Sequence, residues 1–194
     1  MPAAREGWIM NSAKSRWALA LSVGALLATP ASSLAASTTV TGNVSGSTLS
    51  VSSPAATSFG ANLDSGDVTP TYTAALATQD TRGTGAGWNE TITSTQFTTG
   101  TPNNYTLANT ASTLTGVAAT NGTGSSTSPT NAITYPVAVP AGATAPTAAK
   151  FFNAGANTGM GKFTLTPTVG VFVPQSSFAG TYTSTVTVAI VTGP

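Results

Sequence analysis

The stretch from Thr181 to Val191 alternates large apolar and small polar side chains with a period of two. Successive side chains of a β-strand point to opposite faces, so this spacing predicts a strand with one buried face. The apolar positions in it are Tyr182, Val186, Val188 and Ile190.

A second alternation runs from Phe163 to Val173 and is interrupted by Pro167. Because proline cannot donate a hydrogen bond to a neighbouring strand, Pro167 predicts an edge strand or a bulge. The residues between the two alternations, Pro174 to Gly180, are predicted to connect them as a hairpin.

Four further strands are predicted upstream, and one helical turn is predicted from Pro146 to Phe152. Thr, Ser, Gly and Val dominate, while the strong helix formers Glu, Lys, Gln and Arg are scarce. Short strands separated by turn residues are typical of an all-β sandwich or barrel in one domain. The four strands are predicted around Leu49–Val51, Val68–Leu76, Trp88–Phe97 and Ile133–Val139.

The N-terminal region has the pattern of a secretory signal peptide. Lys14 and Arg16 precede an apolar run, residues 17–28, and small residues follow up to Ala35. A basic head, a short apolar core and a small-residue cleavage site define such a signal, so we expect cleavage after Ala35. The alternative, a membrane anchor, needs about 20 apolar residues, and this run is shorter.

Cleavage there divides the chain into a signal peptide, residues 1–35, and a secreted β domain, residues 36–194. Met1 and Met10 both remain open as the start. We expect the mature form to have no membrane span, because its apolar residues are spread through short strands.

The mature part contains neither cysteine nor histidine. This excludes disulfides, the common Ser-His and Cys-His nucleophile pairs, and the main zinc ligands, so we expect no cofactor and no catalytic residues. Nucleic acid is excluded as a partner because its binding requires many cationic contacts. The charged side chains are the bases Arg82, Lys150 and Lys162 and the acids Asp64, Asp67, Asp80 and Glu90.

The most distinctive segment is glycine-rich and ends at Trp88. Asp80 and Arg82 lie two residues apart, so on an extended chain they share a face and can form an ion pair. The glycines predict a backbone with positive φ or a close approach of another chain. The structural-turn residues predicted here are Asp80, Arg82, Gly83, Gly85 and Gly87.

Trp88 has two interpretations: a core tryptophan capping this corner, or an open ring that contacts a sugar or peptide. Glu90 lies in phase with Trp88 and Ile92, on the side expected to face the core. An unpaired buried carboxylate is destabilising. Glu90 is therefore expected to be solvent-exposed at the rim of the sandwich, turned outward by a bulge, or paired with Lys150 or Lys162.

Residues 62–67, which include Asp64 and Asp67, superficially resemble a calcium loop. Their spacing does not match the EF-hand pattern, and Asp-Ser-Gly is an ordinary turn, so no metal site is predicted. A glycosidase pair formed by the two aspartates is also disfavoured, since neither lies in an apolar context.

The glycine-rich segment Asp80–Trp88, the Thr-rich strand after it and the final alternating strand together resemble the WxL-domain family of secreted Gram-positive surface proteins. The likeness extends from about Leu49 to Val191. It departs at the family's Trp-x-Leu signature, which reads Trp88-Asn89-Glu90 here and lacks a second tryptophan near the C-terminus.

The resemblance implies an antiparallel, immunoglobulin-like β-sandwich that is secreted and associates with the cell wall. Peptidoglycan or another wall glycan is the implied ligand, other surface proteins are further candidate partners, and Trp88, Asn89 and Glu90 are the candidate wall-binding residues. No sorting motif follows Val191, so we expect the attachment to be non-covalent.

Two other functions stay open. One is a self-associating, adhesive subunit of a surface coat or fibre, because the low charge leaves few edge lysines to block strand addition. The other is a secreted hydrolase using Glu90, which the poor supply of acids and bases disfavours.

Overall fold

The computed structural model describes residues 39–125 and 127–194, and residues 42–194 form one compact unit. The predicted signal peptide, residues 1–35, lies outside the described residues, so its cleavage and the domain boundary at residue 36 stay predictions. No helix in the described ranges is long and apolar enough to cross a bilayer.

Regular structure in the described residues consists of ten strands and one short 3-10 turn at Leu63–Ser65. The strands are β1 (Leu49–Ser52), β2 (Thr71–Thr73), β3 (Leu76–Asp80), β4 (Trp88–Thr95), β5 (Ser112–Asn121), β6 (Val137–Ala138), β7 (Ala141–Gly142), β8 (Ala149–Ala154), β9 (Gly161–Val171) and β10 (Val186–Thr192).

The strands form two sheets. The six-stranded sheet has the order β1-β3-β9-β5-β6, with β2 also paired to β9. The four-stranded sheet has the order β10-β4-β7, with β8 also paired to β4. All pairs are antiparallel except β4 with β7. The predicted all-β antiparallel sandwich is confirmed, with this one parallel pair added, while the immunoglobulin-like character stays a prediction.

The core lies between the sheets and is apolar, as period-two burial on both inner faces requires. Strand β9 shows the pattern most clearly, since alternate residues from Phe163 onward are buried. The largest fully buried apolar side chains are Trp88, Phe151, Leu76, Ile92, Leu114, Leu165, Val139, Val169 and Val171.

Pro167 does not mark an edge strand, because β9 lies in the middle of its sheet. On one side, β2 pairs with β9 as far as Thr168 and β3 resumes at Leu165, so Pro167 faces the gap between them. On the other side, the β5 register shifts between Leu114 and Gly116, next to this position. The edge alternative is therefore wrong, and the bulge lies on the neighbouring β5 rather than at Pro167 itself. The missing N–H of Pro167 is tolerated because one partner strand is interrupted.

Two predictions of local structure were wrong. Pro174–Gly180 is not a hairpin turn, since β9 and β10 belong to different sheets and the segment crosses between them. The helical turn at Pro146–Phe152 is absent, and β8 occupies its second half. Pairing of Phe152 and its neighbours with β4 outweighs the weak local helix preference of the Ala-Ala-Lys sequence.

The predicted strand at Ile133–Val139 shrinks to the two residues of β6, which pair with β5. The longest unpredicted element is β5 itself. Its second half contains Gly116, Ala118 and Ala119 and is largely exposed, so Val117 alone cannot produce an alternation there. Its hydrogen bonds with β9 define it instead.

Candidate functional site

The glycine-rich corner begins with an ion pair between Asp80, at the end of β3, and Arg82. Arg82 Nε donates to Asp80 Oδ1 at 2.9 Å and Arg82 Nη2 donates to Oδ2 at 2.9 Å, which is a bidentate arrangement. These hydrogen bonds hold the pKa of Asp80 below its ordinary value, against the opposing effect of burial. The predicted ion pair is confirmed.

Arg82 also ties the corner to the C-terminal strand. Its Nη2 donates to the Gly87 carbonyl at 2.9 Å, and its Nη1 donates to Thr192 Oγ1, on β10, at 2.6 Å. One planar guanidinium thus joins the ends of β3, β4 and β10, a geometry that lysine cannot reproduce.

All three glycines of the corner have the predicted positive φ, and two of them also lie against another part of the chain. Gly83, Gly85 and Gly87 all have positive φ, between 64° and 71°. A Cβ at Gly87 would lie 2.5 Å from the Ala154 carbonyl oxygen, and one at Gly85 would lie 2.6 Å from Asn157 Oδ1. At Gly83 a Cβ would meet nothing within 4 Å, so only its backbone conformation calls for glycine.

Trp88 is a core residue, with no exposed surface. Its ring stacks on Phe152, with centroids 5.8 Å apart, and tilts against Phe163 at 6.4 Å. Its indole N–H donates to the Gly159 carbonyl at 2.8 Å, so the one polar atom of the ring is satisfied. The core interpretation is confirmed, and the open ring is not what the structure shows.

Asn89 and Glu90, the neighbours of Trp88 on β4, are also buried. Asn89 Nδ2 donates to the Gly193 carbonyl at 2.7 Å, which adds a second link to the C-terminus. Glu90 faces the core as its phase predicted. Its partner is Thr78 of the opposite sheet, whose hydroxyl donates to Oε1 at 2.6 Å, rather than a lysine.

Glu90 is therefore a carboxylic acid held between the two sheets. Its Oε2 has no hydrogen-bond partner among the described residues. Burial raises the pKa of Glu90 from its ordinary value to about 7, and the hydrogen bond from Thr78 opposes part of this rise. The rim, the outward bulge and the lysine pair expected from the sequence are all wrong here.

The segment 62–67 forms an ordinary turn. Asn62 caps the 3-10 turn by accepting from the Asp64 amide at 3.0 Å, and Asp67 accepts from the Gln175 amide at 2.8 Å. Within residues 39–125 and 127–194, no three acidic side chains come together as a metal site.

Sequence reasoning missed a surface feature that we call the aromatic cluster: Tyr105, Phe178 and Tyr182. The Tyr105 and Phe178 rings stack with centroids 3.9 Å apart, and Phe178 is 59 % exposed. These residues come from two loops far apart in the chain, so no local pattern could join them. The only signal was an isolated aromatic in each of two turn-rich segments.

An open cavity of about 850 Å³ lies beside this cluster and reaches between the sheets. Leu76 and Val169 line it from one sheet and Ile92 and Val188 from the other. Its lining contains no charged side chain, so it offers apolar surface rather than acid or base chemistry.

The fold and corner define a cysteine-free β-sandwich stabilised by packing and by one buried aromatic centre. The family model for the WxL domain, described as surface cell wall-binding, matches residues 36–194. The chain therefore belongs to the WxL-domain family of surface cell-wall-binding proteins. No curated protein and no solved structure matches it.

Membership in this family makes the protein a cell-wall-binding surface protein. It also confirms the resemblance drawn from the glycine-rich segment. Wall contact by Trp88, Asn89 and Glu90 is not tested by the family match and stays a prediction, although burial of all three side chains weighs against direct contact.

We predict that Gly87→Ala destabilises the protein more than Gly83→Ala does. Both glycines have similar positive φ, 70° and 71°, so each substitution incurs a conformational penalty of about 1–2 kcal/mol. Only at Gly87 does the added methyl meet a backbone oxygen, which adds about 1–3 kcal/mol. Urea unfolding of both variants measures the difference, and equal losses would contradict the close packing.

We also predict that stability falls as pH rises from the unfolded pKa of Glu90 to its folded pKa. Its folded pKa, about 7, lies above its unfolded value, so the folded state binds the extra proton. The free energy of unfolding should decrease by roughly 3 kcal/mol from pH about 4.5 to about 7 and level off above.

Glu90→Gln should remove this slope, while Asp64→Asn, a carboxyl-to-amide change at an exposed position, should retain it. The measurement is urea unfolding at a series of pH values. Parallel curves for the wild type and Glu90→Gln would show that Glu90 is not the group responsible.

Proposed function

We propose that this protein associates non-covalently with peptidoglycan or another wall glycan and has no catalytic activity. The match of the cell-wall-binding family model to residues 36–194 carries the proposal. Secretion through the predicted signal peptide, residues 1–35, would bring the chain to the wall.

The placement of the acidic side chains supports a binding role. Glu90, the hydrolase candidate, is sealed in the core with Thr78 as its partner, and Asp80 is held by Arg82. Asp64 and Asp67 belong to the turn before β2. General acid catalysis needs a carboxyl group that reaches the substrate, and Glu90 has no accessible surface for one.

Trp88, Asn89 and Glu90 then act as supports for a binding surface rather than as its contacts. Trp88 and Asn89 hold the backbone carbonyls of Gly159 and Gly193, which lie in loops at this end of the sandwich. Loss of these bonds is expected to loosen the surface loops, because buried polar groups left unpaired destabilise their surroundings.

We predict that the purified protein sediments with isolated peptidoglycan. The basic and acidic side chains nearly balance, so binding should be similar in about 0.1 M and about 1 M salt, where screening differs strongly. The measurement is the fraction of protein in the pellet, compared with a control without peptidoglycan. Protein that stays in the supernatant at both salt concentrations, with isolated peptidoglycan and with whole cell walls alike, would refute wall association.

Self-association is the second candidate function. β10 is the outer strand of the four-stranded sheet and carries no charged side chain, and Val191 on it is 48 % exposed. Such an edge is a site for strand addition. Sedimentation velocity over a range of concentrations should then show oligomers, fewer in Val191→Lys, and a strict monomer would exclude this function.

A further inference from the structure

Phe178 is the most exposed aromatic side chain in the described residues, and no residue of the aromatic cluster belongs to the Asp80–Trp88 corner. Phe178 and Tyr105 stack nearly in parallel, with an angle of 11° between ring planes. The stack covers one face of each ring and leaves 59 % of Phe178 exposed. Tyr182 joins the cluster by donating its hydroxyl to the Phe178 carbonyl at 2.9 Å.

Backbone hydrogen bonds hold both loops of the cluster in place. Thr99 and Tyr105 are joined twice, through Thr99 N to Tyr105 O at 2.9 Å and Tyr105 N to Thr99 Oγ1 at 3.1 Å. Thr98 and Thr183 form a reciprocal backbone pair at 3.1 and 2.9 Å, which links the two loops. The rings are therefore positioned before any ligand arrives, and preorganisation lowers the entropic cost of binding.

Beside the rings lies a surface cavity of about 250 Å³. Its walls combine the three residues of the aromatic cluster with Leu107 and Pro174, and Ser176 also lines it. None of its lining side chains is charged. Flat apolar surface with hydroxyl groups beside it suits a saccharide ring, whose C–H face is apolar and whose hydroxyls lie around the edge.

The position of the basic side chains favours an uncharged ligand at this cavity. Of the three bases in residues 39–194, Arg82 is paired with Asp80, and Lys150 and Lys162 lie on β8 and β9, outside this cavity. A phosphate-rich wall polymer would need cations to neutralise it. A neutral polysaccharide needs none.

We propose that this cavity binds a neutral glycan, with one sugar ring packed on Phe178 and its hydroxyls directed to Tyr182 and Ser176. The site rests on the proposed wall association and assigns it to the aromatic cluster, with the uncharged sugar backbone as ligand. Loops on a rigid β scaffold commonly carry binding residues in this way.

The test compares the wild type with Phe178→Ala, Phe178→Leu and Phe172→Ala. Phe172 is the matched control, because it is also an exposed phenylalanine, at 43 %, and does not line the cavity. Two probes are used with the whole protein: pelleting with isolated peptidoglycan, and binding of a soluble N-acetylglucosamine oligomer measured by calorimetry. Thermal melting of each variant verifies that it is folded.

We expect both Phe178 variants to bind the oligomer about tenfold or more weakly and to pellet less, since the loss of a central aromatic contact has this size. Phe172→Ala should match the wild type in both assays. Phe178→Leu keeps an apolar side chain without a ring, so its loss of binding identifies ring stacking as the cause.

These measurements distinguish failure of the proposed wall association from failure of the glycan site alone. Wild-type protein that pellets with neither isolated peptidoglycan nor whole cell walls refutes the proposed function and this site with it. Wild type and Phe178→Ala that pellet equally, or a wild type that pellets but does not bind the oligomer, overturns the site alone. Salt-sensitive binding of poly(glycerol phosphate) in place of the oligomer overturns the neutral ligand class.

Discussion

The packing of Trp88 between the two sheets is the interaction on which the rest of the structure depends. The chain has no cysteine, so stability must come from packing and hydrogen bonds. Trp88 contacts Phe152 and Phe163 and bonds to the Gly159 carbonyl. Gly159 makes room for it, because a Cβ there would lie 2.9 Å from the indole nitrogen.

Burial of the Glu90 carboxyl group destabilises this core. Glu90 lies two residues from Trp88 on the same face of β4, and one of its oxygens has no partner. Its hydrogen bond with Thr78 is one of the polar links across the sandwich, and the acid is best accommodated when it is protonated. The ion pair of Arg82 with the buried Asp80 has the opposite pH dependence, because its carboxylate is stabilised in the charged form.

Different residues thus stabilise the fold and face the solvent. The corner from Asp80 to Trp88 is buried at its two ends, at Asp80 and at Gly87–Trp88, whereas the aromatic cluster is displayed on loops joined by the Thr98–Thr183 pair. Buried side chains such as Trp88 hold the scaffold together, and a ligand contacts what the exposed loops present. This is why the proposed glycan site lies away from the residues that the sequence singled out.

Local patterns in the sequence determined that the chain is built of strands, which residues of β9 are buried, and that Asp80, Arg82 and the glycines form a tight corner. They also determined that Glu90 faces the core, because period-two phase is a property of the strand itself. Tertiary structure alone decided that Pro167 lies in a central strand, that β9 and β10 belong to different sheets, and that β8 replaces a helical turn. It also decided the burial of Trp88 and the meeting of Tyr105 with Phe178. The physical reason is that alternation specifies a face but not a partner, and partners are chosen by contacts between residues distant in sequence.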